Sequence, residues 1–273
     1  MRINCKGRLI DLSKPKIMGI LNATPDSFFA GSRSQNLDSA LRKAEKMLEE
    51  EADFIDIGGM STRPGADEVS EEEELKRVLP VVEILLKRFP DVLVSIDTYR
   101  AKVAKETVEA GAAMINDISA GTIDKNLLKT VAELQVPYIL MHMQGTPKDM
   151  QKNPVYENIT LEVNQFLSKK IKELKELGMN DIILDPGFGF GKTVEHNYEL
   201  FRNLELIGFG EFPLLAGVSR KSLITRFLNV RADEALNGTT VLNTLALQKG
   251  VKILRVHDVK EAKETIRIWK MLE

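Results

Sequence analysis

Short apolar runs alternate with long charged ones along the whole chain, and this alternation restricts the possible folds more than any single motif. The apolar runs are KIMGILN (16–22), FIDIGG (54–59), VLVSIDT (92–98), AMINDIS (113–119), YILMHM (138–143), DIILDP (181–186), LLAGVS (214–219) and KILRVHD (252–258). Each is short and rich in β-branched or large aliphatic residues, the pattern of a strand buried on both faces. Amphipathic stretches lie between them. NLDSALRKAEKMLEEE opens through Asn36, Leu37 and Asp38, and in SEEEELKRVLPVVEILLKRF, Ser70 and the glutamates after it suit a helix amino terminus. Three junctions, EAGAAMI, ELGMNDI and QKGVKIL, share one form. A helix closes on a glycine, which takes the left-handed conformation without steric cost, and a strand begins. This repetition, with no linker or low-complexity break, predicts a parallel (β/α)8 barrel forming a single domain over 1–273, with an open doubly wound sheet as the competing architecture. RINCKGRLIDL, ahead of the first run, predicts a small hairpin turning at Lys6-Gly7 and plugging the barrel from below.

Composition narrows the function classes. A net charge of −2 and a pI of about 6.1 supply no basic field for nucleic acid, so an anion site must be local. Cys5 is the only cysteine, which excludes an intrachain disulfide and a thiolate metal cluster. MRINCKGRLIDLSK has no long apolar core, and no run reaches the ~18 residues that span a bilayer. A reduced, cytoplasmic protein with small-molecule partners, and no nucleic acid or membrane partner, is the expectation.

In a barrel of this kind the chemistry sits at the carboxyl ends of the strands. Those ends carry Asn22, Gly58-Gly59, Asp97, Asn116-Asp117, His142, Asp185, Ser219-Arg220-Lys221, Arg255 and His257. Asp97 in VSIDT and Asp185 in IILDP are the sharpest cases, because a carboxylate inside a buried run loses solvation and needs donors. A structural carboxylate satisfied by backbone or an arginine is the plainer alternative; the position at the active rim favours function. Asn22, Asp97, Asn116 and Asp185 make a ring of acceptors and amides suited to a flat heterocycle with amino and lactam groups. Each charge-assisted bond there adds about 1.5–3 kcal/mol. The cations come on neighbouring loops. Arg63, Arg255 and His257, near Asn22 and a hard cation such as Mg²⁺, make a diphosphate site. Arg220 is expected to point outward. The loops NATPDSFFAGSRSQ and GGMSTRPGADEVS are long, and both are expected to be mobile and to order on substrate.

DPGFGFGKT (185–193) ends like a phosphate-binding loop, but Pro186 stands where that motif needs its first glycine. Asp185 also sets a negative charge at the loop mouth. The glycines then serve close backbone approach and tight turning, Phe188 and Phe190 offer aromatic faces, and Lys192 reads as a helix-start or surface residue.

Taken in order, ILNATPDSF, DIGGMSTRPGA, SIDTYRA, INDISAG, MHMQGTP, LDPGFGFGKT, AGVSRKS and LRVHDV resemble the dihydropteroate synthase family of folate biosynthesis, from Met18 to Val259. The resemblance implies a (β/α)8 barrel, a homodimer and a transferase. Its reaction would condense 6-hydroxymethyl-7,8-dihydropterin diphosphate with p-aminobenzoate, giving 7,8-dihydropteroate and diphosphate. It implies that Asp97, Asn116, Asp185 and Lys221 line the pterin pocket, with Met141 near the ring. Asn22 would touch Mg²⁺, and Arg63, Arg255 and His257 would hold diphosphate. Thr62, Arg63, Pro64, Phe190, Lys221 and Ser222 would form the p-aminobenzoate side, with Phe28 closing over it. Sulfonamides, which mimic that substrate, should inhibit. Met60, Ala23 and the stretch FAGSRSQN depart from the family pattern beside the motif residues.

The resemblance also implies an SN1-like course. The CH₂–O bond breaks early, Asp97 and Asp185 support positive character in the ring, and Lys221 orients substrate. Three rivals compete. A pterin-dependent methyltransferase would lack the Ser-Arg-Lys motif and the TPDSF loop, both present here. A metal-dependent hydrolase needs a paired ligand motif, which His142, His196 and His257 do not form. A folate-binding protein without catalysis would release no diphosphate.

Overall fold

The computed structural model describes residues 1–23, 33–60 and 69–272, with 33–35 as backbone alone. The chain opens with an antiparallel hairpin, β1 (Arg2–Cys5) and β2 (Arg8–Asp11), which turns at Lys6-Gly7. The eight apolar runs then form one parallel sheet: β3 (Lys16–Asn22), β4 (Phe54–Gly58), β5 (Val94–Asp97), β6 (Met114–Asp117), β7 (Tyr138–Met141), β8 (Ile182–Asp185), β9 (Leu215–Ala216) and β10 (Ile253–Val256). Its order is β8-β7-β6-β5-β4-β3-β10-β9. Leu184 bridges Leu214, and the Leu184 amide donates to the Pro213 carbonyl at 2.9 Å, so the two edges meet and the sheet closes as a (β/α)8 barrel. Successive strands are neighbours throughout, which rules out the doubly wound alternative.

Helices α1 (Arg33–Glu49), α2 (Glu71–Arg88), α3 (Ala101–Glu109), α4 (Leu127–Leu134), α5 (Ile159–Glu176) and α6 (Val194–Arg202) follow β3 to β8 in turn. Both α7 (Ser222–Leu228) and α8 (Leu236–Gln248) follow β9, and α9 (Val259–Trp269) follows β10. Ser70 caps α2 as its spacing predicts, its side chain accepting from the Glu73 amide at 3.2 Å. By contrast, α1 begins at Arg33, ahead of Asn36 and Asp38. The helix-ending glycines Gly111, Gly178 and Gly250 have φ of 121°, 83° and 86°, a conformation that costs any other residue strain.

Side chains alternate along each strand, and the two faces have different partners. Ile55, Ile57, Val94, Ile96, Leu140 and Leu184 join the shell packed against the helices. The inward set at the amino end is separate: Met18, Phe54, Met114, Ile139, Ile183, Leu215 and Ile253 cluster with Ile3, Cys5 and Leu12. The hairpin therefore seals the bottom of the barrel. The Asn4 amide bonds Asp181 Oδ2 at 3.1 Å, and Lys6 Nζ bonds the Val108 carbonyl at 2.8 Å, fixing it there. Burying each large apolar side chain adds about 1.5–3 kcal/mol. Two residues further along the same inward face, the chemistry changes: Phe54 gives way to Asp56, Met114 to Asn116, Ile183 to Asp185 and Ile253 to Arg255.

Candidate active site

Parallel register sets the polar rim. Asn22 pairs beside Gly58, Gly58 beside Asp97, and Asp97 beside Asn116, so one row crosses four strands. Gly58 is the gap in that row. A Cβ there would lie 3.6 Å from Asp97 Cβ and 3.9 Å from Asn22 Oδ1, so the missing side chain leaves space between those two groups. Met141 pairs beside Asp185 and is buried.

Arg255 ties the row together. Its Nε donates to Asp56 Oδ2 at 2.6 Å and its Nη2 to Asp97 Oδ2 at 2.7 Å. Asp56 Oδ2 also accepts from Asn116 Nδ2 at 2.9 Å. Asp56 Oδ1 is buried without a hydrogen-bond partner among the described residues, an acceptor left over at the centre of the cluster. Burial works against the charge on Arg255, but Asp56 and Asp97 outweigh it and hold the guanidinium firmly protonated. Burial pushes Asp97 above the usual carboxylate range, against the pull of Arg255, with Asp56 and Glu74 adding to the push. Asp185 is raised by burial, opposed by Lys221 and by the Gly187 amide, which donates to its Oδ1 at 2.7 Å.

Lys221 comes from the opposite side. Its Nζ donates to the Phe188 carbonyl at 2.7 Å and stands 4.7 Å from the centroid of the Phe190 ring. A Cβ on Gly217 would lie 3.6 Å from Lys221 Nζ and 3.9 Å from Arg255 Cβ, so the two cationic side chains flank one glycine. Burial brings Lys221 down to about 8, against the pull of Asp185. Ser222 follows at the start of α7. His257 sits just past β10, with its amide donating to Ser219 Oγ at 3.2 Å and its Nδ1 3.0 Å from the same hydroxyl. Arg220 turns away and pairs with Asp258.

The structure thus brings Asn22, Asp97, Asn116, Met141, Asp185, Phe190, Lys221, Ser222, Arg255 and His257 to one end of the barrel. Phe28, Thr62, Arg63 and Pro64 lie outside the described residues, as does most of each loop expected to move. One expectation is corrected. Lys192 is neither a surface residue nor simply a helix start; it is buried, with its Nζ on the carbonyls of Gly187 and Phe190 at 2.9 and 3.0 Å and on His142 Nδ1 at 3.0 Å. The phosphate-loop likeness misleads because this lysine faces backbone oxygens. Sequence reasoning also passed over Asp56. Its signal was present: a carboxylate within the buried run FIDIGG, two residues before Gly58 and so on the same face.

These groups can hold a planar polar ring at its edges while excluding water from below. A family described as pterin binding enzyme matches residues 18–257. The dihydropteroate synthase of Haemophilus influenzae is 47% identical over 272 residues, covering 99% of this chain and 98% of that protein. The Yersinia pestis dihydropteroate synthase, solved with a sulfonamide drug complex, matches with a TM-score of 0.94 at 46% identity, covering 100% of this chain and 99% of that one. The Xanthomonas albilineans enzyme in complex with 7,8-dihydropteroate matches with a TM-score of 0.89 at 35% identity, covering 100% and 98%. The chain belongs to the pterin binding enzymes and, within them, to the dihydropteroate synthase family of transferases.

Proposed function

We propose that the chain condenses 6-hydroxymethyl-7,8-dihydropterin diphosphate with p-aminobenzoate, giving 7,8-dihydropteroate and diphosphate. The observation that carries this reading is the convergence of Asp56, Asp97, Asn116, Asp185, Lys221 and Arg255 at one rim. Within this set three carboxylates face two cations, so the fully ionised cluster has a formal charge of −1 and favours a substrate that gains positive charge. In an SN1-like course the CH₂–O bond breaks first, its electron pair leaving with diphosphate. The carboxylates stabilise the ring cation, and Arg255 keeps Asp56 and Asp97 aligned without mutual repulsion. The amine of p-aminobenzoate then forms the new C–N bond and loses a proton. An aniline is a free base at neutral pH, so no strong general base is needed. Lys221 orients substrate. The loops after β3 and β4 close over the reactants, and Arg63, Arg255 and His257 take the diphosphate.

Mg²⁺ would be held at Asn22. Asn22 Oδ1 is a hard oxygen donor, and with no side chain on Gly58 it lies across from Asp97 with room for a methyl-sized group between them. No group of three His, Cys, Asp or Glu among the described residues could cage an ion. That arrangement suits a cation that keeps several waters and binds mainly through substrate phosphates, supplying charge neutralisation to the leaving group.

Phe190, Lys221, Ser222 and the loop residues Phe28, Thr62, Arg63 and Pro64 form the p-aminobenzoate side in this reading, where a sulfonamide would compete. Two copies would pair through the exposed apolar side chains Phe227 and Leu228 of α7 and Val241 and Leu245 of α8. Sedimentation equilibrium at micromolar concentration should give a dimer.

The deciding experiment mixes both substrates with and without Mg²⁺ and measures 7,8-dihydropteroate and diphosphate. Both products should appear in equal amounts, with Mg²⁺ raising the rate. Binding of the pterin without diphosphate release would leave a binding protein and overturn the reading.

A further inference from the structure

The loop 186–192 is folded around a buried ammonium. Gly187, Gly189 and Gly191 have φ of 72°, 84° and 60°, so the backbone reverses repeatedly in a region where side-chain-bearing residues are strained. It is also pressed against the segment after β7. A Cβ on Gly187 would fall 1.9 Å from the His142 carbonyl oxygen, and one on Gly191 would fall 2.4 Å from that of Gln144. A loop this tight turns carbonyls inward, and those oxygens need donors.

Lys192 provides them. An ammonium has three N–H bonds, and three acceptors lie within 3.0 Å of its Nζ, the Gly187 carbonyl at 2.9 Å, the Phe190 carbonyl at 3.0 Å and His142 Nδ1 at 3.0 Å, with the His142 carbonyl a more distant fourth at 3.4 Å. His142 is suited to accept, since burial, with Lys192 beside it, brings its ring down to about 2 and keeps it neutral. Burial also draws Lys192 down to about 7, with Asp185 pulling the other way. A site made only of acceptors, three of them within 3.0 Å, matches the protonated form.

The residues held this way carry the contacts of Lys221. The Phe188 carbonyl accepts from Lys221 Nζ, and the Phe190 ring lies beneath it. The Gly187 amide is bound to Asp185 Oδ1. We propose that Lys192 is a positioning residue for the condensation: by clamping the Gly187 and Phe190 carbonyls it fixes the Phe188 carbonyl and Phe190 ring that aim Lys221 at substrate. It touches no substrate itself. This inference rests on the condensation reading for its kinetic part, while its geometric part stands apart from it.

The test is a double-mutant cycle of Lys192→Met with Lys221→Met, together with a ligand-free measurement. Lys192→Met should lower kcat/KM by about tenfold or more, yet cost less than about twofold when added to Lys221→Met, because residues acting through one another are not additive. In the protein labelled with ¹³C-lysine and free of ligand, the Lys221 Hε resonances should lie upfield, shielded by the Phe190 ring, as Phe190→Leu would show by abolishing the shift. Lys192→Met should move them the same way. If Lys192→Met does not fold, His142→Ala removes one acceptor and leaves the ammonium; it should give a smaller loss and a smaller shift. Multiplying losses, or an unchanged Lys221 resonance in a folded variant, would overturn the clamp. Absence of product from the unmutated protein would sink the condensation reading instead, and the resonance would still decide the clamp.

Discussion

The two ends of the barrel are built from the same strands and share almost no chemistry. At the amino end, Met18, Phe54, Met114, Ile139, Ile183 and Ile253 pack against Ile3, Cys5 and Leu12 of the hairpin side in one apolar cluster. One inward step along, Asp56, Asn116, Asp185 and Arg255 take their place, and each needs specific partners. The lower layer supplies apolar burial, and that burial allows the upper layer to hold several charges out of water. Buried ion pairs contribute little net stability, since desolvation offsets their attraction. The rim is therefore maintained for what it binds, with the plug supporting it from below.

Substitution at each end should separate these roles. Arg255→Met removes the shared donor of Asp56 and Asp97 and leaves two carboxylates face to face; it should cost about 3–5 kcal/mol in denaturant unfolding and abolish turnover. Phe54→Ala should cost a similar 3–5 kcal/mol through the cavity it leaves, yet keep kcat per folded molecule nearly unchanged. A loss of kcat from Phe54→Ala at a temperature where the protein is fully folded would break the division between the ends. Asp97→Asn keeps shape and removes charge. Turnover should fall about 100-fold or more with little change in melting temperature, and near-normal rates would remove the ring-charge argument.

Smaller effects follow from titration. Burial lowers Lys221 from its ordinary 10.5 to about 8, so the folded state binds fewer protons than the unfolded state between those values. Stability should rise with pH across that window and lose this contribution as pH falls through about 8. Activity should run the other way, falling above about pH 8 as the ammonium is lost, and Lys221→Arg should remove that limb from the pH profile. At the amino end, burial raises the Cys5 thiol to about 12, with Asp181 adding to the shift. A thiol reagent should leave the native protein almost untouched and titrate its single cysteine after unfolding.

Much of this could be read from sequence because barrel strands are short, apolar and evenly interrupted. The runs at 16–22 and 181–186 became the strands Lys16–Asn22 and Ile182–Asp185, and the glycine junctions ended helices as expected. Asp97 and Asp185 were legible because a carboxylate inside such a run has no cheap explanation. Asp56 carried the same signal but sat deeper in its run. Lys192 was misread because a lysine after a glycine-rich loop gives no indication of which way its ammonium points.

The sequence by itself determined the alternation of eight strands with helices, since strand composition, helix caps and helix-ending glycines are local preferences that act before any distant contact forms; closure into a barrel rather than an open sheet was settled by the meeting of Leu184 and Leu214. It also determined that polar groups would gather at the carboxyl rim, because period two fixes which residues share a face. Only the tertiary structure decided the pairings: Arg255 across Asp56 and Asp97, Lys221 on the Phe188 carbonyl, and Lys192 within its loop. Those partners come from different strands or from a loop folded back on itself. A long charged side chain takes the acceptors that burial leaves within its reach, and that choice exists only once the chain has closed.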